Sequence, residues 1–294
     1  MIINIKCLGC NIAQVEKIGE LIGASEERQE KALREVLSAL SKESYSQSEP
    51  ELMQTTYKII TEAYNESNPY KKIKEFYNSE LMSLYPVLKE KLDKRKDAFY
   101  LALKLAAAGN KIDFAASHSF NRAEVLSDIE DFENKGEFCI DHSEKLYASL
   151  KRSKKLLYIG DNCGEIVLDR LFIEQIKKDF PDIEITFGVR GKHIVNDITE
   201  EDAFQIKLEE ISEIISSGSG IPGTILERTS EEFQKCFDEA DTVIAKGQGN
   251  FEGLRNQEKN GLFFLFLIKC SVIADITKGT IFHSVCMEGK KPLR

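Results

Sequence analysis

The chain has 294 residues, 42% of them hydrophobic and 30% charged, the balance of an ordinary globular protein and not of a disordered, fibrous or membrane chain. A formal net charge of −9 provides no long-range attraction for nucleic acid or anionic lipid, so an anionic ligand has to be held by local groups. The longest apolar run, Leu262 to Ile268, is too short to span a bilayer, and the N-terminus lacks the basic and apolar stretches of a secretory signal. A cytoplasmic protein of roughly two domains is expected, at about 150 residues per domain. Its seven cysteines, an odd number in a chain without an export signal, are expected to be reduced thiols.

From Asn11 to about Lys104 apolar residues recur at helical spacing among abundant Glu, Lys, Leu and Ala, which predicts successive amphipathic helices. Ser25 reads as an N-cap, with Ala32, Leu33, Val36, Leu37 and Leu40 forming one stripe. Ser48 and Asn68 make similar starts, followed by Pro50 and Pro69. Gly109 is read as a C-cap glycine, with Asn110 and Asp113 just beyond it, either in turn chemistry or at a site. A further helical stretch is predicted from about Arg122 to Ser149.

The pattern then changes. Lys155 to Gly160, Ile183 to Val189, Thr242 to Ala245 and Leu262 to Ile268 are short β-branched or aromatic runs separated by helical segments and glycine-bearing loops. That alternation predicts an α/β fold, with a mostly parallel sheet flanked by helices over residues 151–294 and a mainly helical region over 1–150.

Ligands of open α/β sheets bind beyond the carboxyl ends of the strands. There the sequence places Gly160-Asp161-Asn162-Cys163-Gly164-Glu165, then Arg190 to Asn196-Asp197, then Lys246-Gly247-Gln248-Gly249-Asn250. Asp161, Asn162 and Asp197 supply the hard oxygen donors that suit a divalent cation. Lys246, with Gly247 and Gly249, can offer a positive charge and backbone N–H groups to phosphate oxygens. Glu165 reads as a substrate-hydroxyl acceptor, a base, or an acidic residue favoured by a helix N-terminus. Asp-Asn pairs and Lys-Gly pairs are also common in ordinary turns and strand ends; their recurrence at successive strand ends is what points to a site.

The loop Ser216 to Thr224 is read as a glycine-rich connection between two helices, either a flap or a plain linker. Cys7-x-x-Cys10 has no partner pair, so it is either a helix start with packed thiols or an auxiliary metal or redox pair. His118, His142, His193 and His283 are isolated, His193 lying nearest the site.

These motifs resemble the metal-dependent damage-control phosphatases, catalogued as domain of unknown function 89 and related to the acidic-residue methyltransferase-like proteins, most closely the archaeal and bacterial subfamily. The resemblance rests on Cys7-Leu-Gly-Cys10-Asn-Ile-Ala-Gln14, Gly109-Asn110-Lys-Ile-Asp113, Gly160-Asp161-Asn162-Cys-Gly-Glu165, Asn196-Asp197-Ile-Thr, Ile221-Pro-Gly-Thr and Lys246-Gly-Gln-Gly-Asn250, and runs in order along almost the whole chain. It implies a helical N-terminal region packed on a three-layer α/β/α, Rossmann-like catalytic domain. It also implies a divalent metal (Mn²⁺, Ni²⁺, Co²⁺ or Mg²⁺) at Asp161, Asn162 and Asp197, catalysis by Asp161, Asp197 and Lys246, and a small phosphorylated metabolite as substrate. Glu165, Lys246, Gly247, Gly249, Asn250, Asn110 and Arg190 are the expected substrate contacts. Water attack is favoured over an aspartyl-phosphate, because the second acid of the familiar Asp-x-Asp signature is Cys163 here. The alternatives are an S-adenosylmethionine-dependent carboxyl methyltransferase and a noncatalytic phosphometabolite-binding protein. Neither nucleic acid nor membrane is an expected partner.

Overall fold

Capping chemistry sets the second and third helices. In the computed structural model, which describes residues 3–109, 126–127, 130 and 137–290, α1 spans Lys6–Leu21, α2 Glu26–Leu40 and α3 Glu49–Tyr64. The Ser25 side chain accepts the Arg28 amide, and Ser48 and Glu51 close a capping box with Pro50 in the first turn. α4 (Lys71–Asp93) is flanked by Tyr70 and not by the anticipated Asn68. α5 (Ala98–Ala108) ends at Gly109, which keeps right-handed backbone angles. Glycine is needed there for a close approach instead, because a Cβ would fall 2.7 Å from the Glu165 Cγ. Asn110, Asp113, His118 and Arg122 lie outside the described residues.

Seven strands among the described residues form one sheet: β1 (Phe138–Asp141), β2 (Lys155–Ile159), β3 (Glu184–Val189), β4 (Glu213–Ser216), β5 (Thr242–Lys246), β6 (Leu262–Leu267) and β7 (Ser284–Glu288), in the order β1-β7-β6-β5-β2-β3-β4. All neighbours pair in parallel except β6 with β7. The four anticipated runs became β2, β3, β5 and β6. The strands β1, β4 and β7 were not anticipated. β1 lies inside the predicted 122–149 helix, whose described helical parts are residues 126–127 and 130 and α6 (Ser143–Leu150). β1 and β4 are short, half-exposed edges, which leave no continuous apolar run to read. β4 also corrects the reading of the glycine-rich loop: it leaves a strand and does not join two helices.

The central strands are buried on both faces, and their side chains alternate between two cores. Leu156, Tyr158, Ile244, Phe263 and Leu265 face α4, α5 and α7 (Glu165–Asp179), while Leu157, Ile159, Val243, Ala245, Phe264 and Phe266 face α9 (Glu231–Glu239), α10 (Gly247–Leu254) and α11 (Ser271–Thr277). A short α8 (Glu200–Gln205) follows β3. The result is a three-layer mixed α/β structure in which α4 and α5, and strand β1, come from the first 150 residues. Helices α1 to α3 gather around a third cluster that includes Ile18, Leu52, Tyr57, Ile60 and, from the loop after β3, Ile194. No described helix is long and apolar enough to cross a membrane.

Candidate active site

The chain runs outward from β2 to β3 and β4, then returns to lay β5 against the other side of β2. Such a reversal opens a crevice at the carboxyl ends of the two diverging strands. Asp161 follows β2 there, and Lys246 ends β5 with Gly247 just beyond it. The loop after β3 comes across to meet them: Asn162 and Asp197 form an isolated antiparallel bridge, and the Ile198 amide donates to the Asp161 carbonyl at 3.0 Å. Asp161, Asn162 and Asp197 are thereby brought together.

Arg190 holds this arrangement from below. Only 1% exposed, it donates from Nε to Asp197 Oδ2 at 2.7 Å, from one terminal nitrogen to Thr224 Oγ1 at 3.2 Å and from the other to Asn250 Oδ1 at 3.1 Å. Asn250 is fully used. Its oxygen accepts from Arg190 and Thr224, and its amide donates to the carbonyls of Gly160 (3.1 Å) and Lys246 (2.6 Å). These two expected substrate contacts therefore lock the loops after β2, β3, β4 and β5 to one another. Gly249 lies against Pro222 and Gly223, where a Cβ would meet the Pro222 carbonyl oxygen at 2.8 Å.

Gly247 supports the carboxylate directly. With φ of +78°, any Cβ would fall 1.9 Å from Asp161 Oδ2. Gly247→Ala is therefore expected to displace Asp161 and lower turnover by at least about tenfold, since ångström-scale misplacement of reacting groups costs that much or more. Steady-state kinetics checks it; wild-type turnover would contradict the contact.

The structure places Lys246 elsewhere than at an exposed phosphate site. Its ammonium, 0% exposed, donates to Glu165, to Asp169 Oδ1 at 2.5 Å and to the Ala106 carbonyl at 3.0 Å, so its three protons are engaged. Tyr158 donates to the same Asp169 oxygen at 2.7 Å. Burial opposes the Lys246 charge, but Asp169 and Glu165 outweigh it and raise its pKa. Burial pushes Glu165 up to about 8 against the pull of Lys246. This buried network spans α5, α7 and β5. A second lysine, Lys269, went unnoticed in the sequence. It stands exposed just past β6, and after burial, which raises the Asp161 carboxyl, it is the strongest opposing influence, ahead of Arg190 and Lys246. The signal was available: it is the residue that follows the fourth predicted run.

The donor chemistry fits a hard divalent cation, although no described group of three His, Cys, Asp or Glu side chains gathers to hold one. The set is mixed, two carboxylates and a carboxamide. Asp161 and Asp197 are 7% and 5% exposed. Burial pushes Asp197 up to about 6, Arg190 opposing and Asp161 adding to it. Two desolvated acids that each raise the cost of charging the other are a site that a cation relieves.

Away from this centre, His193 lines a cavity of about 580 Å³ with Lys71, Lys72, Lys74 and Asp202. The buried Lys74 pairs with Asp202 at 2.6 Å. Cys10 is exposed, and Cys7 lines a separate cavity of about 250 Å³ with Glu49, Glu252 and Cys270. Burial and the facing Glu252 push Glu49 up to about 8. A carboxyl with a raised folded-state pKa keeps its proton while the unfolded chain has lost it, so its burden on stability grows as pH climbs from about 4.5 toward 8. Glu49→Gln is accordingly expected to raise the melting temperature more at pH 8 than at pH 5, as calorimetry can read.

Fold and crevice define a doubly wound α/β protein with an acidic, oxygen-donor site at its topological switch. Residues 3–282 match the family described as the damage-control phosphatase ARMT1-like domain. The chain is 38% identical to an uncharacterised protein of Methanocaldococcus jannaschii over 279 residues, 92% of this chain and 90% of that one. It is 32% identical to a damage-control phosphatase of Pyrococcus horikoshii, covering 99% of each, and 28% identical to a damage-control phosphatase of Archaeoglobus fulgidus, covering 91% and 92%. The crystal structure of a DUF89 family protein from Pyrococcus horikoshii superposes with a TM-score of 0.91 at 30% identity, over 99% of this chain and 100% of that one. The chain belongs to the ARMT1-like, or DUF89, damage-control phosphatase family.

Proposed function

We propose that the protein is a metal-dependent phosphatase that hydrolyses phosphate monoesters of small metabolites, such as sugar phosphates, nucleotides or damaged phosphometabolites. The observation that carries this reading is the convergence of Asp161, Asn162 and Asp197 at the switch between β2 and β5, on loops that Arg190 and Asn250 lock together. The names of the Pyrococcus and Archaeoglobus relatives support it.

Asp161, Asn162 and Asp197 would hold the divalent ion, of the Mn²⁺, Ni²⁺, Co²⁺ or Mg²⁺ class. When bound, such an ion supplies Lewis-acid polarisation of the phosphoryl group and a more acidic water. Gly247 keeps the Asp161 carboxylate free of side-chain obstruction. Lys269, exposed just past β6 and favouring the charged form of Asp161, would meet the phosphate dianion. Lys246 acts through the backbone, fixing the end of β5 on Glu165 and Asp169 so that Gly247 stays in register with Asp161. Attack by water is the reading favoured over attack by Asp161; mass-spectrometric trapping of a phosphorylated Asp161 would reverse that choice.

Phosphate release from p-nitrophenyl phosphate and a panel of metabolite phosphates, in EDTA and with each metal restored, tests the reading. Release abolished by EDTA and rescued by a metal is expected. No release with any metal would sink it, and S-adenosylmethionine or metabolite binding would be measured next. Lys269→Ala is expected to raise KM roughly tenfold with kcat little changed, if it binds the phosphate equally in ground and transition states. An unchanged KM would remove Lys269 from the site.

A further inference from the structure

The loop that delivers Asp197 contains a turn its own sequence does not favour. The Asp197 amide donates to the Ile194 carbonyl at 3.0 Å, closing a four-residue turn over Val195 and Asn196. Val195, at its second position, has φ of +46°. That left-handed region suits Gly, Asn or Asp, and a β-branched residue there is a genuine outlier. The turn is nonetheless built into the site, because the Asn196 carbonyl accepts both the Cys163 amide and the Cys163 thiol, each at 3.0 Å.

The helical layer supplies what the turn lacks. Ile194 is 1% exposed and belongs to the cluster of α1 to α3 with Leu52, Tyr57 and Ile60, and Val195 packs against the same cluster. Tyr57, 4% exposed, turns its hydroxyl toward the Val195 amide without closing a hydrogen bond of normal geometry. Ile194 and Val195 thus form an apolar plug that reaches from the sheet's catalytic end into the helices. The neighbouring Asn196 carbonyl and Asp197 carboxylate engage Cys163 and Arg190 on the site side.

We propose that Val195 is a positioning residue: its side chain, seated in the α1–α3 cluster, holds the Ile194–Asp197 turn in its strained form and so fixes the Asp197 carboxylate beside Asp161. Only the consequence for metal and turnover rests on the function proposed above; the clamp itself does not. The helices before residue 65 are then part of the active site's architecture, and not simply a covering.

The discriminating variants are Val195→Gly and Val195→Asn, which suit a left-handed backbone but remove the apolar anchor, and Val195→Ile, which keeps it. If turn preference governed the loop, Gly and Asn would protect it as well as valine or better. The clamp predicts the opposite. Hydrogen exchange across residues 190–198 of the metal-free protein should accelerate at least about tenfold in both variants, with a wild-type rate in Val195→Ile and little change in global melting temperature. Dissociation constants for Mn²⁺, read by calorimetry, should rise about tenfold to a hundredfold in the same two variants, as for other residues that orient metal ligands. Unchanged exchange in Val195→Gly and Val195→Asn overturns the clamp. Accelerated exchange in these two variants, together with a wild-type protein that binds no metal, would uphold the clamp and instead fail the phosphatase reading.

Discussion

Asp161→Asn is expected to reduce metal-dependent phosphate release by on the order of 10³-fold while the melting temperature stays level or rises. The carboxylate is 7% exposed, pushed above its usual pKa range by burial, and adjoined by Asp197. Its charge is therefore a burden on the folded protein unless a cation is present, and the isosteric amide removes that burden without opening a cavity. Arg190 keeps its closer partner, Asp197 at 2.7 Å, its distance to Asp161 being 3.9 Å. Kinetics and thermal unfolding of the same preparation decide the matter. A variant that unfolds early would assign Asp161 a structural role, and one with full turnover would remove it from the chemistry.

The opposite signature is expected of Lys246→Met. Removing one partner of a buried ion pair leaves charge without compensation and typically costs about 3 to 5 kcal/mol. Here the ammonium bridges two carboxylates, all three side chains being 0% exposed. Once it is gone, Glu165 and Asp169 must either stay charged in the core or hold protons. Their folded-state pKa values, already raised by burial, would climb further, so the loss of stability should be smaller near pH 5 and grow as pH rises toward 8. Adding Glu165→Gln and Asp169→Asn should restore part of the stability. Chemical denaturation at the two pH values checks both statements. A fully stable Lys246→Met protein with a raised KM would instead return this lysine to the phosphate.

Much of the site was legible because strand ends are legible. Runs such as Leu156 to Ile159 and Leu262 to Leu267 are apolar on both faces of a buried sheet, and the polar residues that interrupt them fall at its carboxyl edge. The same rule points to Asp161, Asn162 and Asp197, which the structure brings together at the crevice between β2 and β5, and applied once more it points to Lys269. Polar type alone did not separate contact from support. Arg190, Asn250 and Lys246 look like ligand-binding residues in a sequence, yet Asn250 and Lys246 spend their hydrogen-bonding capacity, and Arg190 three of its five donors, on other parts of the chain.

The sequence by itself determined the alternation of helix and strand in the second half, the helices of the first with the caps of α2 and α3, and the residues that gather at the ends of β2, β3 and β5. These follow from local periodicity, cap chemistry and chain order. Only the tertiary structure decided that β5 returns beside β2, that α4 and α5 complete the sheet's outer layer, that Lys246 is sealed between Glu165 and Asp169, and that Val195 is held left-handed by helices more than a hundred residues earlier in the chain. The reason is the same in each case. Burial and hydrogen-bond saturation depend on which distant groups arrive at a side chain, and a residue's identity specifies only what it can offer them.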